Sequence, residues 1–181
     1  EWHKDPRDRH AASTPTIIIA TRPALVQRDG DVVAEDGISP IALLAPAGSY
    51  KIAVRHRNHL GAMTASSVPL SSTIVPVDFT DQSLALYGTE PTRIVGTKRA
   101  LWSGNTLRDV ELKYIGATND RDPILVAIGG SVPTNTVAGY RMEDVNLDGV
   151  TKYTGSFNDR DPILVNIGGS IPTAVRTQQL P

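Results

Sequence analysis

Asp144, Asn146 and Asp148 stand at alternate positions, followed by Gly149 and Val150. Oxygen side chains at relative positions 1, 3 and 5, a glycine at 6 and a backbone carbonyl from 7 are how a loop wraps a calcium ion, a hard cation that takes six to eight oxygens. The ordinary loop is closed by a bidentate acid at position 12, which here is Gly155. A longer loop is therefore expected, closed by Asp159 or Asp161. The expected metal set is Asp144, Asn146, Asp148, the Val150 carbonyl, Asp159 and Asp161.

These residues sit beside a duplication. Asn119 to Thr134 reads NDRDPILVAIGGSVPT, and Asn158 to Thr173 reads NDRDPILVNIGGSIPT, 39 residues later. Only Ala127/Asn166 and Val132/Ile171 differ. The register extends upstream through Lys113-Tyr114 with Lys152-Tyr153 and Gly116 with Gly155. Such self-similarity marks a repeated structural unit. Carried back one period, the first unit offers Asn105, Leu107, Asp109 and Val110 where the second has Asp144, Asn146, Asp148 and Gly149. Leucine has no ligating atom, and valine is sterically poor where a sharp turn needs glycine. A second, weaker site is expected at Asn105, Asp109, Asp120 and Asp122, with Glu111 near it.

The elements that must position these loops are short. Asp122-Pro123 and Asp161-Pro162 suit a helix N-cap followed by the first helical residue, where the missing proline N–H costs nothing. Ile124, Leu125 and Ile128, and likewise Ile163, Leu164 and Ile167, fall on one helical face, and a Gly-Gly pair then supplies the left-handed conformation that ends a helix. Each helix is expected to be under two turns long. Helices of that length do not stand alone in water, so the two apolar faces should pack on each other or on a neighbouring module.

Two resemblances follow from these residues. The Asp-x-Asn-x-Asp-Gly half-loop with a short helix after it, in tandem, is similar to the dockerin repeat. The set Asp144-Val-Asn-Leu-Asp-Gly, Lys152-Tyr-Thr-Gly, Asn158-Asp-Arg-Asp-Pro-Ile-Leu, Ile167-Gly-Gly and Gln179-Leu-Pro looks like the C-terminal region of large secreted or surface proteins of Bacteroidota, loosely labelled haemagglutinin-like. Gln27-Arg-Asp-Gly-Asp and Val54-Arg-His-Arg-Asn-His-Leu-Gly-Ala-Met-Thr64 belong to the same resemblance. It implies an extracellular, calcium-binding, non-enzymatic module and supplies no biochemical activity.

Composition sets bounds. At 181 residues the chain has room for one substantial domain or two small ones. Residues 1–100 carry 11 basic and 10 acidic side chains and residues 101–181 carry 7 and 9, so neither half has the field of a nucleic-acid or membrane-surface binder. No apolar run is long enough to span a bilayer. The absence of cysteine excludes disulfides and thiolate chemistry, and leaves compartment open because calcium can act as the staple. Without an initiating methionine, the chain reads as a processed or excised C-terminal piece of a longer protein.

Residues 1–16 read as a polar arm, with Trp2 as its one residue expected to find a buried surface. Ile17-Ile-Ile-Ala has the β-branched character of a buried strand, and Ala24-Leu-Val follows after a break at Pro23. Asp29-Gly-Asp and Asp36-Gly are turn signals, and turn chemistry is preferred for Asp29, Asp31 and Asp36 over the alternative of a further calcium site in that loop. A strand is expected over Ile38 to Leu44, and another where Tyr50, Ile52 and Val54 alternate with Lys51, Ala53 and Arg55. Val68 to Phe79 continues the theme. Residues 17–87 are therefore expected to form a β-sandwich. The Pro-x-Gly-x-Tyr turn into that strand resembles carboxypeptidase-regulatory-like sandwich modules. Residues 88–100 read as a linker, and residues 101–181 as the repeat domain anchored by Trp102, with units 101–139 and 140–181. The expected fold class is mainly β with short helices: an N-terminal sandwich joined to a dockerin-like, EF-hand-like double repeat.

His56 and His59 raise a metal question. On a strand, residues three apart point to opposite faces, so the pair could share an ion only if the chain bends between them. Arg55-His-Arg-Asn-His is read instead as structural, its polar side chains bonding loop carbonyls. Enzyme motifs are missing: there is no Gly-x-Ser-x-Gly elbow, phosphate-binding Gly-x-x-x-x-Gly-Lys or His-Glu-x-x-His. Gly129-Gly-Ser and Gly168-Gly-Ser follow a helix rather than precede one, which fits a helix stop and not an anion nest. The function expected is a calcium-stabilised structural or adhesive module of a secreted or cell-surface protein, with a glycan as a possible ligand. The rivals are a docking module for a cohesin-like partner and a subunit of a self-assembling extracellular fibre.

Overall fold

The computed structural model describes residues 2–4, 17–27 and 29–180, with side chains for the last two ranges. Over the described residues the chain is mainly β, built from short antiparallel strands with two short helices. The strands β1 (Trp2–Lys4), β2 (Ile17–Ala20), β3 (Leu25–Val26), β4 (Val32–Val33), β5 (Gly48–Val54), β6 (Ala62–Met63) and β7 (Val68–Leu70) make up the first half. One five-stranded sheet runs in the order β2-β1-β5-β6, with β7 also on β5, while β3 and β4 form a separate ribbon. The expected Trp2 anchor and the rest of the polar arm, residues 5–16, lie outside the residues whose side chains are described.

The sandwich expectation therefore needs correction. Among the described residues the first half is one sheet and a ribbon, not two stacked sheets. Only β5 reaches seven residues, and the other strands of this half have two to four, too little to build a second layer. Tyr50, Ile52 and Ala53 of β5 are buried, and Tyr50 Oη donates to the Pro46 carbonyl at 2.6 Å. The strand expected over Ile38 to Leu44 does not form. Asp36 Oδ1 accepts the N–H groups of Ile38 (3.0 Å) and Ser39 (2.8 Å), donors that a ladder would have needed, and Pro40 supplies none. Ile38 and Leu44 are consequently exposed. Strand structure after Val68 stops at Leu70, and Ile17 and Ile18 of β2 are half exposed rather than buried.

Residues 88–100, expected as a linker, hold a hairpin of β8 (Arg93–Val95) and β9 (Lys98–Ala100). The second half follows as β10 (Glu111–Lys113), α1 (Arg121–Ala127), β11 (Thr136–Ala138), β12 (Val150–Lys152), α2 (Arg160–Asn166) and β13 (Val175–Thr177). The two units are cross-laced: β10 of the first pairs with β13 of the second, and β11 of the first with β12 of the second. Neither unit closes its own ladder.

Both helices have seven residues, under two turns as expected. Each ends in a Schellman arrangement: Gly130 N–H reaches the Leu125 carbonyl and Gly129 the Val126 carbonyl, with Gly169 and Gly168 doing the same in the second unit. Their inner faces meet in one core of Leu60, Leu112, Ile124, Val145, Ile163 and Ile167. Full burial of each such side chain is worth about 1.5–3 kcal/mol, which is what holds helices this short. Leu60 comes from the first half, so the core of the repeat pair is completed from outside it.

Candidate metal-binding loops

The second loop is organised by carboxylates that accept backbone N–H groups. Asp144 Oδ1 takes the N–H of Asp148 and Oδ2 that of Gly149, both at 3.1 Å. Asn146 Oδ1 accepts Asp148 N–H at 2.9 Å, and Asp148 Oδ1 accepts Val150 N–H at 2.9 Å. Asn146 Nδ2 donates to the Phe157 carbonyl at 2.7 Å and to Asp148 Oδ2 at 3.2 Å. Leu147 and Gly149 take positive φ, 63° and 88°, which lets successive N–H groups turn inward.

Asp159 closes this loop from 14 residues beyond Val145. Its Oδ1 accepts Val145 N–H (2.7 Å) and Asn146 N–H (3.1 Å), and its Oδ2 accepts Lys152 N–H (2.7 Å). Its carboxylate is fully buried, and burial, reinforced by the charge of Asp144, pushes its pKa up against the three N–H bonds that pull it down. Asp161 does not join it. It lies on the first turn of α2, largely exposed, against Asn158 and Arg160. The helix cap is Asn158, whose Oδ1 accepts Asp161 N–H at 2.9 Å while its Nδ2 holds the Gly155 carbonyl and Asp161 Oδ2. The cap expected from Asp161-Pro162 is thus displaced three residues upstream, because α2 starts at Arg160, before the proline. An asparagine followed three residues later by an acid is the sequence signal that could have placed it.

The first unit repeats the frame and changes the loop. Asp120 Oδ2 accepts Lys113 N–H at 2.8 Å and Oδ1 accepts Leu107 N–H at 3.2 Å. Burial pushes the Asp120 carboxyl up to about 6, against these bonds and with the Asp109 charge assisting. Asn119 caps α1 and Asp122 turns outward to Arg121, as their counterparts do. Asn105 Nδ2 donates to the Asp109 carbonyl at 2.7 Å and its Oδ1 accepts Asp109 N–H at 3.1 Å, one donated and one accepted bond where Asp144 accepts two N–H groups. Val110, opposite Gly149, does not take the left-handed conformation.

Of the predicted residues, the structure brings together Asp144, Asn146, Asp148 and Asp159, with Val150 at the end of the loop, and in the first unit Asn105, Asp109 and Asp120. Asp161 and Asp122 stand apart. Among the described residues no three His, Cys, Asp or Glu side chains gather at metal-holding range. A calcium ion would therefore draw part of its shell from Asn146, carbonyls and water, and the hard oxygen donors fit that chemistry. Asn119, Asp120, Asn158 and Asp159 also have a role without any ion, since they saturate the N–H groups of the loops.

Three residues of the first half reach this site, and sequence reasoning did not place them there. Asn58 is fully buried; its Nδ2 donates to the Met142 (2.8 Å) and Asp144 (2.7 Å) carbonyls, and its own carbonyl accepts Gly104 and Asn105 N–H. Arg57 stacks on Tyr140 at 3.7 Å, donates Nε to the Arg141 carbonyl at 2.9 Å and reaches Asp144 Oδ2 at 3.5 Å. Leu60 enters the core. The structural reading of Arg55-His-Arg-Asn-His as a carbonyl-bonding segment holds for Arg57 and Asn58. Asn166, one of the two departures from exact repetition, is also buried, and it receives Arg93 on its Oδ1 and bonds Ser103 through its Nδ2. Arg176 stacks on Trp102 at 3.5 Å beside it, so Trp102 anchors the repeat pair as expected.

No helix among the described residues is long and apolar enough to cross a membrane. Comparison with known families, with curated proteins and with solved structures finds no match.

Proposed function

We propose that this chain is an extracellular structural or adhesive module whose dockerin-like repeat pair is consolidated by calcium at Asp144, Asn146, Asp148 and Asp159, with a weaker site at Asn105, Asp109 and Asp120. The observation that carries the reading is the burial of two carboxylates, Asp144 and Asp159, in one loop where, among the described residues, Arg57 at 3.5 Å from Asp144 is the one ion-pair partner. Two charges buried side by side raise each other's energy, and a divalent ion relieves both. Such an ion at 100 times its dissociation constant stabilises the folded form by about 2.7 kcal/mol.

Calorimetric titration of calcium into the intact chain and into Asp148→Ala tests this. One strong site lost in the variant is the expected result, and an absence of heat in the parent chain overturns it. A fibre subunit is the second reading. Strand β2 is the end strand of the five-stranded sheet, and its Ile17 and Ile18 are 52% and 51% exposed, which suits pairing with a strand from another copy. Concentration-dependent growth in size on light scattering would favour it.

A further inference from the structure

The condition set by strand geometry for a shared ion at His56 and His59 is met, because the chain leaves β5 at Val54 and turns at Arg57-Asn58. The two Nδ1 atoms face each other at 2.8 Å, with the rings perpendicular and their centroids 4.4 Å apart. Asn58 Oδ1 lies 2.9 Å from His59 Nδ1. That amide cannot rotate away, since its Nδ2 is held by the Met142 and Asp144 carbonyls. An amide oxygen only accepts, so the proton in this cluster sits on His59 Nδ1, shared between His56 Nδ1 and Asn58 Oδ1. Two imidazole nitrogens and one fixed oxygen therefore converge around a single proton.

We propose that His56 Nδ1 and His59 Nδ1, with Asn58 Oδ1, form a site for a borderline divalent transition metal of the copper(II) type, separate from the oxygen loops. Imidazole nitrogens sit about 2.0–2.1 Å from such ions, so two at right angles are about 2.9 Å apart and two at the tetrahedral angle about 3.4 Å. The observed separation matches neighbouring corners of a tetragonal shell, the arrangement that copper(II) takes with nitrogen and oxygen ligands. Binding moves the His59 ring proton from Nδ1 to Nε2, so both rings coordinate as neutral imidazoles and no net proton is released near neutral pH. Both rings are held neutral, His59 down to about 3, by burial and by the nearby Arg57 charge. That charge opposes the ion, but the guanidinium is turned to Asp144, Tyr140 and the Arg141 carbonyl. Water supplies the remaining positions.

The test is copper(II) titration of the full chain near pH 7.5 in a non-coordinating buffer, followed by electron paramagnetic resonance. One axial site with coupling to two nitrogens is expected, unaffected by excess calcium. His56→Ala and His59→Ala should each weaken it at least about tenfold, and a chain with both His3 and His10 changed to Gln should keep it. If a variant does not fold, selective broadening of the His56 and His59 ring resonances by copper in the unsubstituted chain gives the same answer. Absence of a one-site signal, unweakened binding in a folded His56→Ala or His59→Ala chain, or displacement by calcium would each overturn the proposal.

Discussion

The two repeat units share a backbone and differ in their loops. Both place non-glycine residues in the left-handed region at the same two points, Arg108 with Leu147 and Thr118 with Phe157. Both cap a seven-residue helix with asparagine, and both bury an aspartate, Asp120 or Asp159, against N–H groups on either side. Yet Asp144, Asn146 and Gly149 are replaced in the first unit by Asn105, Leu107 and Val110 without loss of the frame. The frame thus belongs to the buried aspartates and the caps, while the loop acids are free to serve another purpose.

The sharpest way to break this comparison is to remove the buried aspartates. Asp159→Ala leaves backbone donors without an acceptor and should cost roughly 3 kcal/mol or more, with Asp120→Ala costing a similar amount. Urea denaturation measures both. A negligible loss in either would mean that water replaces the carboxylate and that the frame is held by the core alone.

Next in size is a graft. Asn105→Asp with Leu107→Asn and Val110→Gly gives the first unit the loop of the second, and calorimetry should then show two comparable calcium sites instead of one strong site. The expected added stabilisation is up to about 2.7 kcal/mol at saturating calcium. If the grafted chain still binds a single ion, the loop residues are not the difference that matters.

A pH series sharpens the role of Asp120. Its folded-state pKa is raised from 3.8 to about 6, so between these values the folded chain holds more protons than the unfolded one. Its contribution to stability is therefore greatest at low pH and is lost as pH rises from about 4 to 6. His59, lowered to about 3, slopes the other way over the same window. The measurement is accordingly the difference between the parent and Asp120→Asn in calcium-free buffer, with the parent losing stability relative to the variant. An opposite trend would show that the N–H bonds outweigh burial.

The smallest effect lies at a third asymmetry. Leu112 of β10 belongs to the core, and the residue one period on is Thr151, fully buried with no partner for its hydroxyl among the described residues. Thr151→Val removes that polar group at constant shape and should stabilise the chain by about 1 kcal/mol. A loss on thermal denaturation would reveal a partner for the hydroxyl, such as a buried water.

Much of this molecule could be read locally. The duplication shows as identity at a 39-residue period, and the length of both helices, their glycine stops, their apolar faces and the donor character of the Asp144 loop all follow from short-range spacings, where backbone geometry fixes who faces whom. The strands were less legible. Runs such as Ile38 to Leu44 have strand composition, but the Asp36 side chain, two and three residues before Ile38 and Ser39, claims their donors. Strands of two or three residues carry almost no register information, so the cross-lacing of β10 with β13 and β11 with β12 could not be anticipated from pattern.

By itself, then, the sequence determined the repeated unit and the chemistry available to it: hard oxygens in the loops, no thiols, and helices too short to stand alone. The tertiary structure alone decided which acid closes the second loop, Asp159 and not Asp161, since that depends on where α2 begins. It also decided that Arg57, Asn58 and Leu60 complete the repeat pair from some 84 residues away along the chain, in the case of Asn58 and Met142, and that His56 meets His59. The physical reason is common to all three. Buried donors, acceptors and apolar surface must be satisfied by whatever is nearest in space, and for this chain the nearest group is often remote in sequence.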